Sequence, residues 1–286
     1  MIADEFNVYN LAEFGQARIT AFGHKKYIGA KKKLDHHFHS NTIELCFCIK
    51  GQQIYVIGDQ KLSLGGNDII IIPPNVEHGS GDFPEDKSEL FWLQISRDKS
   101  LGEFCYMPNE KSDYLLDALN KEGLKVFKGA YELKPYFDKL LAIVKGGAGP
   151  LDQIKICQLL LSILLGTSDL SKNEFIDENT KRLSTLDEYI QDNIRNSIQL
   201  TDLSERMDMS VNYFKSWFKK KQGIPPKEYI NRKKIELSKP CLLETKSITE
   251  VAYEFNFSSS QYYATAFKKY TGMTPREYIN KEKENV

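Results

Sequence analysis

The feature that most constrains this chain is a duplication near its end. Phe-Lys-Lys-Lys-Gln-Gly-Ile-Pro-Pro-Lys-Glu-Tyr-Ile at 218–230 returns as Phe-Lys-Lys-Tyr-Thr-Gly-Met-Thr-Pro-Arg-Glu-Tyr-Ile at 267–279, with 8 of 13 positions identical. Upstream the copies still agree in type, Leu200-Thr201-Asp202-Leu203 answering to Ile248-Thr249-Glu250-Val251. A solenoid generally needs three or more units, so two copies read as two separate modules. Each spells helix, tight turn, helix. Thr201 and Thr249 are the expected N-caps, each followed by an acid in the first turn. Asp208-Met209-Ser210 and Asn256-Phe257-Ser258-Ser259 supply turns from residues that tolerate left-handed backbone, Ser210 and Ser259 cap the second helices, and Gly223 and Gly272 stop them.

In the second helices, Phe214, Trp217 and Phe218, matched by Tyr263, Ala266 and Phe267, recur at i, i+3 and i+4 and should pack inward. That turns Asn212, Lys215 and Ser216, and in the second copy Ser260, Gln261 and Thr265, outward near the helix N-terminus, the part that meets base edges in a major groove. These six are the expected base contacts. Lys219, Lys220, Lys268 and Lys269 follow one turn later, where they can reach phosphates. A basic cluster on one helix is ordinarily a solvated face; a duplicated module with matched caps, core and basic tail points to double-stranded DNA.

Charge agrees once it is divided. The chain holds 39 Lys+Arg and 39 Asp+Glu, a balance that taken whole argues against nucleic acid. Residues 181–286, however, carry 19 basic against 14 acidic side chains, and residues 1–180 carry 20 against 25. At 286 residues the chain also exceeds one ordinary hydrophobic core.

The acidic part changes period along its length. Between about residues 30 and 96, Ile43, Leu45, Phe47 and Ile49 alternate with other residues, Gly51 breaks the run, and Ile54–Ile57 resumes it. Asp68–Ile72 reads as a strand buried on both faces. Gly58-Asp59, Gly65-Gly66-Asn67 and Pro73-Pro74-Asn75 punctuate these strands, as in an all-β barrel or sandwich. Past residue 110, Leu133, Tyr136, Phe137, Leu140, Leu141 and Val144 share one helical face, and after Gly146–Pro150 a second stripe follows with Ile156, Leu159, Leu160, Ile163 and Leu164. Packing on the barrel and dimerisation explain these helices about equally well. The expected organisation is a sensing barrel at 1–110, helices at 111–167, a polar linker at 168–180, and the duplicated domain at 181–286.

Five cysteines form no CxxC pair and no dense framework, the pattern of reduced thiols in a cytoplasmic protein. The N-terminus is acidic where a signal peptide is basic. The apolar run Ile156–Leu165 is about half of the ~20 residues a membrane helix needs, so a buried helix and no membrane partner are expected.

From Leu186 to Ile279 the sequence resembles the DNA-binding domain of the AraC/XylS family of bacterial regulators. The motifs are Leu-Thr-Asp-Leu-Ser, Ser-Val-Asn-Tyr-Phe-Lys-Ser-Trp-Phe-Lys-Lys, Ile-Thr-Glu-Val-Ala-Tyr-Glu-Phe-Asn-Phe, and Phe-Lys-Lys-Tyr-Thr-Gly-Met-Thr-Pro-Arg-Glu-Tyr. The resemblance implies two helix-turn-helix units joined by a long helix and entering successive major-groove segments of promoter DNA. It also implies a transcription regulator that works as a homodimer with RNA polymerase, as an activator rather than a repressor. Two departures stand out: Asn256 occupies a position usually held by Gly, and Pro240 lies inside the linking helix of roughly 226–244, which it should kink or end.

His37-x-His39-(x4)-Glu44-(x6)-Gly51 is similar to the first cupin motif, and Asn67-(x5)-Pro73-x-Asn75-(x2)-His78 to the second. This likeness implies a small β-barrel whose mouth gathers His37, His39, Glu44 and His78. Three imidazoles and one carboxylate suit zinc, nickel, manganese or non-haem iron. The favoured use is direct polar contact with a small-molecule effector such as a sugar, with no cofactor required. Tyr55 and Trp92 either stack on that effector or belong to core and rim. A metal-dependent cupin enzyme with a helical tail is the alternative. The duplicated module weighs against it, since an enzyme has no use for two matched groove-reading helices. No Gly-rich phosphate loop, nucleophile elbow or His-Glu-x-x-His motif occurs in the sequence.

Overall fold

Two strands, β1 (Glu5–Tyr9) and β2 (Ile19–Lys26), precede the alternating segment, which forms one continuous strand of 16 residues, β3 (Thr42–Ile57). Gly51 does not break it. At φ +81° Gly51 takes a left-handed conformation, and a Cβ there would lie 2.0 Å from the Lys87 carbonyl oxygen, so only glycine lets the strand kink past its neighbour. The kink divides the pairing. Thr42–Gly51 runs against β6 (Ser88–Ser96), with Glu44–Phe47 also against β5 (Asp68–Ile72), while Gln52–Ile57 forms a hairpin with β4 (Gln60–Gly65). A seventh strand, β7 (Lys125–Lys128), completes the order β1-β2-β6-β3-β5-β7, with β4 branching from β3. Among the described residues this order does not close on itself; the antiparallel, cupin-like sheet is consistent with the expected barrel.

The described residues are 4–121, 123–147, 149–172, 178–244 and 247–284 in this computed structural model. Contacts divide the chain into two units, Met1–Ile28 with Lys33–Glu174, and Phe175–Val286 with Gly29–Lys32.

In the first unit the two faces of the sheet serve two cores. Ile43, Leu45, Phe47 and Ile49 of β3, with Phe91, Leu93 and Ile95 of β6, pack against α1 (Asn109–Asn120), α2 (Ala130–Gly146) and α3 (Pro150–Lys172). Cys46 and Cys48 point the other way, into a smaller cluster with Tyr55, Leu64 and Leu90. The alternating apolar stripe is therefore the helix-facing side of the sheet. Asp68–Ile72 is buried throughout, Ile69 and Ile71 in one core and Ile70 and Ile72 in the other, as its unbroken apolar run predicts.

Helix α3 is long and apolar enough to cross a membrane by length and composition. Its Ile156, Leu160, Ile163 and Leu164 are buried in the first unit's core, as befits a core helix. It also extends through residues 168–172, with Ser168 and Ser171 buried, so the first part of the expected linker is helical. The hydroxyls of Thr167 and Ser171 donate to carbonyls one turn back, which lets polar side chains remain in the helix. Residues 173–177 lie outside the described residues, and α4 begins at Glu178 (Glu178–Asp192).

The second unit repeats itself as the sequence does. The first module is α5 (Leu200–Arg206) and α6 (Val211–Gln222); α7 (Pro226–Leu243) leads to the second, α8 (Ile248–Glu254) and α9 (Ser260–Thr271); α10 (Pro275–Glu284) ends the chain. Leu203, Met207, Phe214 and Phe218 share one core with Val251, Phe255, Tyr263 and Phe267. Asp208 and Asn256 both turn at φ +53°, so Asn256 performs the left-handed turn of a glycine.

The caps differ from expectation at the first helices. Gln199 stands at the α5 N-cap without a side-chain bond, and Ser247 caps α8 in a full capping box with Glu250. Thr201 and Thr249 lie inside the helices, because Leu200 and Ile248 are already helical and pack on the core. Pro240 does not end α7. The helix runs on to Leu243, so the residue that cannot donate backward sits in its last turn, where the loss is smallest.

Candidate functional site

The reading helices α6 and α9 start at Ser210 and Ser259, whose hydroxyl oxygens accept from the backbone of Tyr213 at 3.3 Å and Tyr262 at 3.1 Å. They stop at Gly223 and Gly272, at φ +74° and +80°. Phe214, Trp217 and Phe218 are buried on α6, as are Tyr263, Ala266 and Phe267 on α9. Asn212, Lys215, Ser216, Gln261 and Thr265 are exposed and Ser260 is half-buried, all on the outward side that the sequence predicts. Lys219, Lys220, Lys268 and Lys269 are exposed one turn farther on.

One detail escaped sequence reading. The hydroxyls of Ser216 and Thr265, equivalent positions in the two copies, donate to the carbonyls of Asn212 at 3.3 Å and Gln261 at 2.9 Å. Their protons are engaged, so each presents an outward acceptor, suited to the exocyclic amine of adenine or cytosine.

Three polar links brace the second module on α7: Asn231 Nδ2 donates to Tyr262 OH at 3.0 Å, Lys234 Nζ to the Asn256 carbonyl at 3.2 Å, and the Ser238 and Tyr263 hydroxyls lie 2.9 Å apart. Burial lowers the Lys234 pKa, so this ammonium depends on the carbonyl it faces.

In the first unit, His37, His39, Glu44 and His78 converge, one ligand atom from each lying within 4.8 Å of the others. A short antiparallel bridge holds His37 and His78 together, each backbone amide donating to the other's carbonyl at 2.9 Å. Each ring is set by a carbonyl two residues back: His37 Nδ1 lies 2.8 Å from the Asp35 oxygen and His78 Nδ1 2.9 Å from that of Val76. Those contacts place the Nδ1 hydrogen and turn Nε2 toward the cluster. His39 Nε2 is 2.8 Å from Glu44 Oε2. His78 Nε2 is 3.7 Å from Glu44 Oε1, too far for a hydrogen bond, and is left buried without a partner.

Burial alone would raise the Glu44 pKa. The bond to His39 and the adjacent His78 outweigh it, and the carboxyl is held well below its usual range. For His78, burial lowers the pKa, Glu44 raises it, and the balance is upward. Two further residues belong here that the sequence did not disclose. Gln94, directly opposite Glu44 in the β3–β6 register, donates to Glu44 Oε2 at 2.9 Å, and the Cys46 thiol donates to Glu44 Oε1 at 3.1 Å. A cross-strand neighbour is invisible until the register is known.

Of the two readings of Tyr55, stacking surface or core, the structure has the core. Tyr55 is 3% exposed, its hydroxyl donates to Cys46 Sγ at 3.2 Å, and it packs in the core beneath the cluster. Trp92 is half-buried, in contact with that core and with its indole over Gly23, where a Cβ would lie 1.9 Å from the ring. All five cysteines are buried, and none is joined in a disulfide.

Residues 29–102 match the family of AraC-like ligand binding domains and residues 203–281 a helix-turn-helix domain family. Over 233 residues the chain is 31% identical to the probable transcriptional regulator LumQ of Photobacterium leiognathi, covering 80% of this chain and 85% of that one. The chain belongs to the AraC family of transcriptional regulators. A second relative, the uncharacterised helix-turn-helix regulator YfiF of Bacillus subtilis, is 23% identical over 238 residues, 78% of this chain and 71% of that one. The XylDLEGF operon transcriptional activator 2 of Pseudomonas putida is 32% identical over 95 residues, 32% of this chain and 60% of that one. As an AraC-family member the chain is a DNA-binding regulator with a ligand-binding domain, which sets aside the metal-dependent enzyme.

Proposed function

We propose that this AraC-family regulator reads promoter DNA with Asn212, Lys215 and Ser216 in one major-groove segment and Ser260, Gln261 and Thr265 in the next. Lys219, Lys220, Lys268 and Lys269 contact phosphates. The observation that carries this reading is the pair of equivalent exposed strips on two identically capped helices. Asn212→Ala and Gln261→Ala are each expected to cost roughly 1–3 kcal/mol of discrimination at one base pair, the two base pairs lying about 10–10.5 bp apart. Binding-site selection on each variant checks this; uniform loss of affinity with unchanged base preference would mean that the reading face lies elsewhere.

The small-molecule effector, a sugar or another metabolite, binds at His37, His39, Glu44 and His78 and changes promoter occupancy. The P. putida relative is named an operon activator, and the same direction of control, acting on RNA polymerase in the cytoplasm, is our reading here. A homodimer is favoured by the exposed stripe Leu151, Ile154 and Leu165 on α3, which sedimentation of the purified chain tests directly.

A divalent metal is the second reading of this pocket, favoured by the buried His78 Nε2 with no partner and by carbonyl contacts that leave two Nε2 atoms facing the cluster. The residues fit zinc, nickel, manganese or ferrous iron. Untagged protein dialysed against Zn²⁺ at pH 7.5 should retain about one equivalent by elemental analysis and lose it in His78→Ala; binding that falls as pH drops is also expected, since bound ligands must be deprotonated. Equal retention by wild type and variant would leave the organic effector as the sole reading.

A further inference from the structure

Between the two modules lies a cleft of about 510 Å³. Val211 and Lys215, one turn apart on α6, line it from the first module, and Tyr262 of α9 lines it from the second. Along α7 its lining comes from Lys227, Asn231 and Lys234. No acidic side chain is among the described residues that line it. Asn212 is the immediate neighbour of Val211 on α6, and Gln261 of Tyr262 on α9, so the cleft is bordered by both reading strips.

We infer that this cleft is a third DNA contact, in which Lys227 and Asn231 of the linking helix hold the sugar–phosphate backbone between the two major-groove segments. The inference rests on α6 and α9 being the reading helices. Two heads on one face of a duplex, one helical turn apart, must have a minor groove and its flanking phosphates between them. What the protein offers at that place is a concave surface with the exposed lysines Lys215 and Lys227, amide donors and no carboxylate among the described lining residues, which suits a polyanion. Lys227 is exposed and Asn231 half-buried. The Asn231 amide also bonds Tyr262, so the residue that meets the backbone is tied to the second reading helix. Linker-helix contact thereby fixes the spacing of the two reads without reading a base itself.

The test uses the full chain and a duplex recovered by site selection. Lys227→Gln should leave base preference unchanged and lower the salt slope by about 0.9, which shrinks the change in Kd between 50 and 200 mM salt by about 3.5-fold. Lys227→Glu should weaken all sequences alike and more strongly. Ethylation of the phosphates midway between the two selected base pairs should interfere with wild-type binding and cease to discriminate in the variants. An unchanged salt slope in both variants, with harmless ethylation at those phosphates, would overturn the inference. The reading helices are judged separately: if Asn212→Ala and Gln261→Ala relax base preference while Lys227 changes nothing, only the cleft is misassigned.

Discussion

Glu44→Leu is expected to lower the melting temperature of the ligand-binding domain sharply, by an amount corresponding to about 3–5 kcal/mol. Glu44 is buried and accepts from His39, Gln94 and the Cys46 thiol while facing His78. Removing it leaves those donors without their acceptor and one imidazole without its counter-charge, the costly way to break a buried pair. Glu44→Gln retains an acceptor oxygen and should cost less. The sign with pH follows from the two directions of shift. The Glu44 pKa is depressed in the fold, so its contribution is present above its ordinary value of 4.5 and is lost as pH falls through the folded value. The His78 pKa is raised, so its contribution is present below 6.5 and fades as pH rises through its folded value. Thermal melts across pH on the wild type and Glu44→Gln read both limbs; a Glu44→Leu melt coincident with wild type would refute the account.

Phe267→Ala should cost about 3–5 kcal/mol in the other unit. Phe267 is fully buried and packs edge to face with Tyr278 and tilted against Tyr263, whose hydroxyl is held by Ser238. A loss of that size is a large fraction of a stability of ~5–15 kcal/mol, so the melting temperature of this unit should fall and DNA binding should fail at a lower temperature than in the wild type. The first unit should keep its own transition and its ligand response. Calorimetry on the full chain separates the two, and a single transition displaced as one would show that the units do not melt independently. Phe218→Ala, the equivalent change in the first module, should behave alike, because both side chains lie in one shared core.

How much of this was legible beforehand depended on whether the signal was local. The second helices were, since a serine cap, an apolar i, i+3, i+4 stripe and a closing glycine are all set within a dozen residues. The His37, His39, Glu44 and His78 convergence was reached differently, as what the resemblance to the two cupin motifs implies. Three things were not local. The alternating apolar residues of β3 announce a buried face without saying that helices rather than the sheet interior would cover it. Gln94 enters the site only through its register with Glu44, and Tyr55 sits in the core with its hydroxyl bonded to Cys46, a contact that sequence spacing does not show. The capping of α5 and α8 was misread for a different reason, because a threonine followed by an acid resembles a cap even when the preceding residue is already helical.

The two-sided character of β3 has an evolutionary consequence. Positions 43, 45, 47 and 49 are committed to the packed helices, while 46 and 48 pack in the opposite core and Glu44 joins the histidine cluster; on β6, 91, 93 and 95 lie on the helix side and Gln94 beside Glu44. At the proposed ligand site, natural variation at positions 44 and 94 can therefore change the chemistry while the neighbouring residues keep the scaffold intact. Descendants of one such ancestor can diverge in the ligand they accept by a handful of substitutions at these strand positions and in the segments that carry His37, His39 and His78, and carry the DNA-binding half along unaltered.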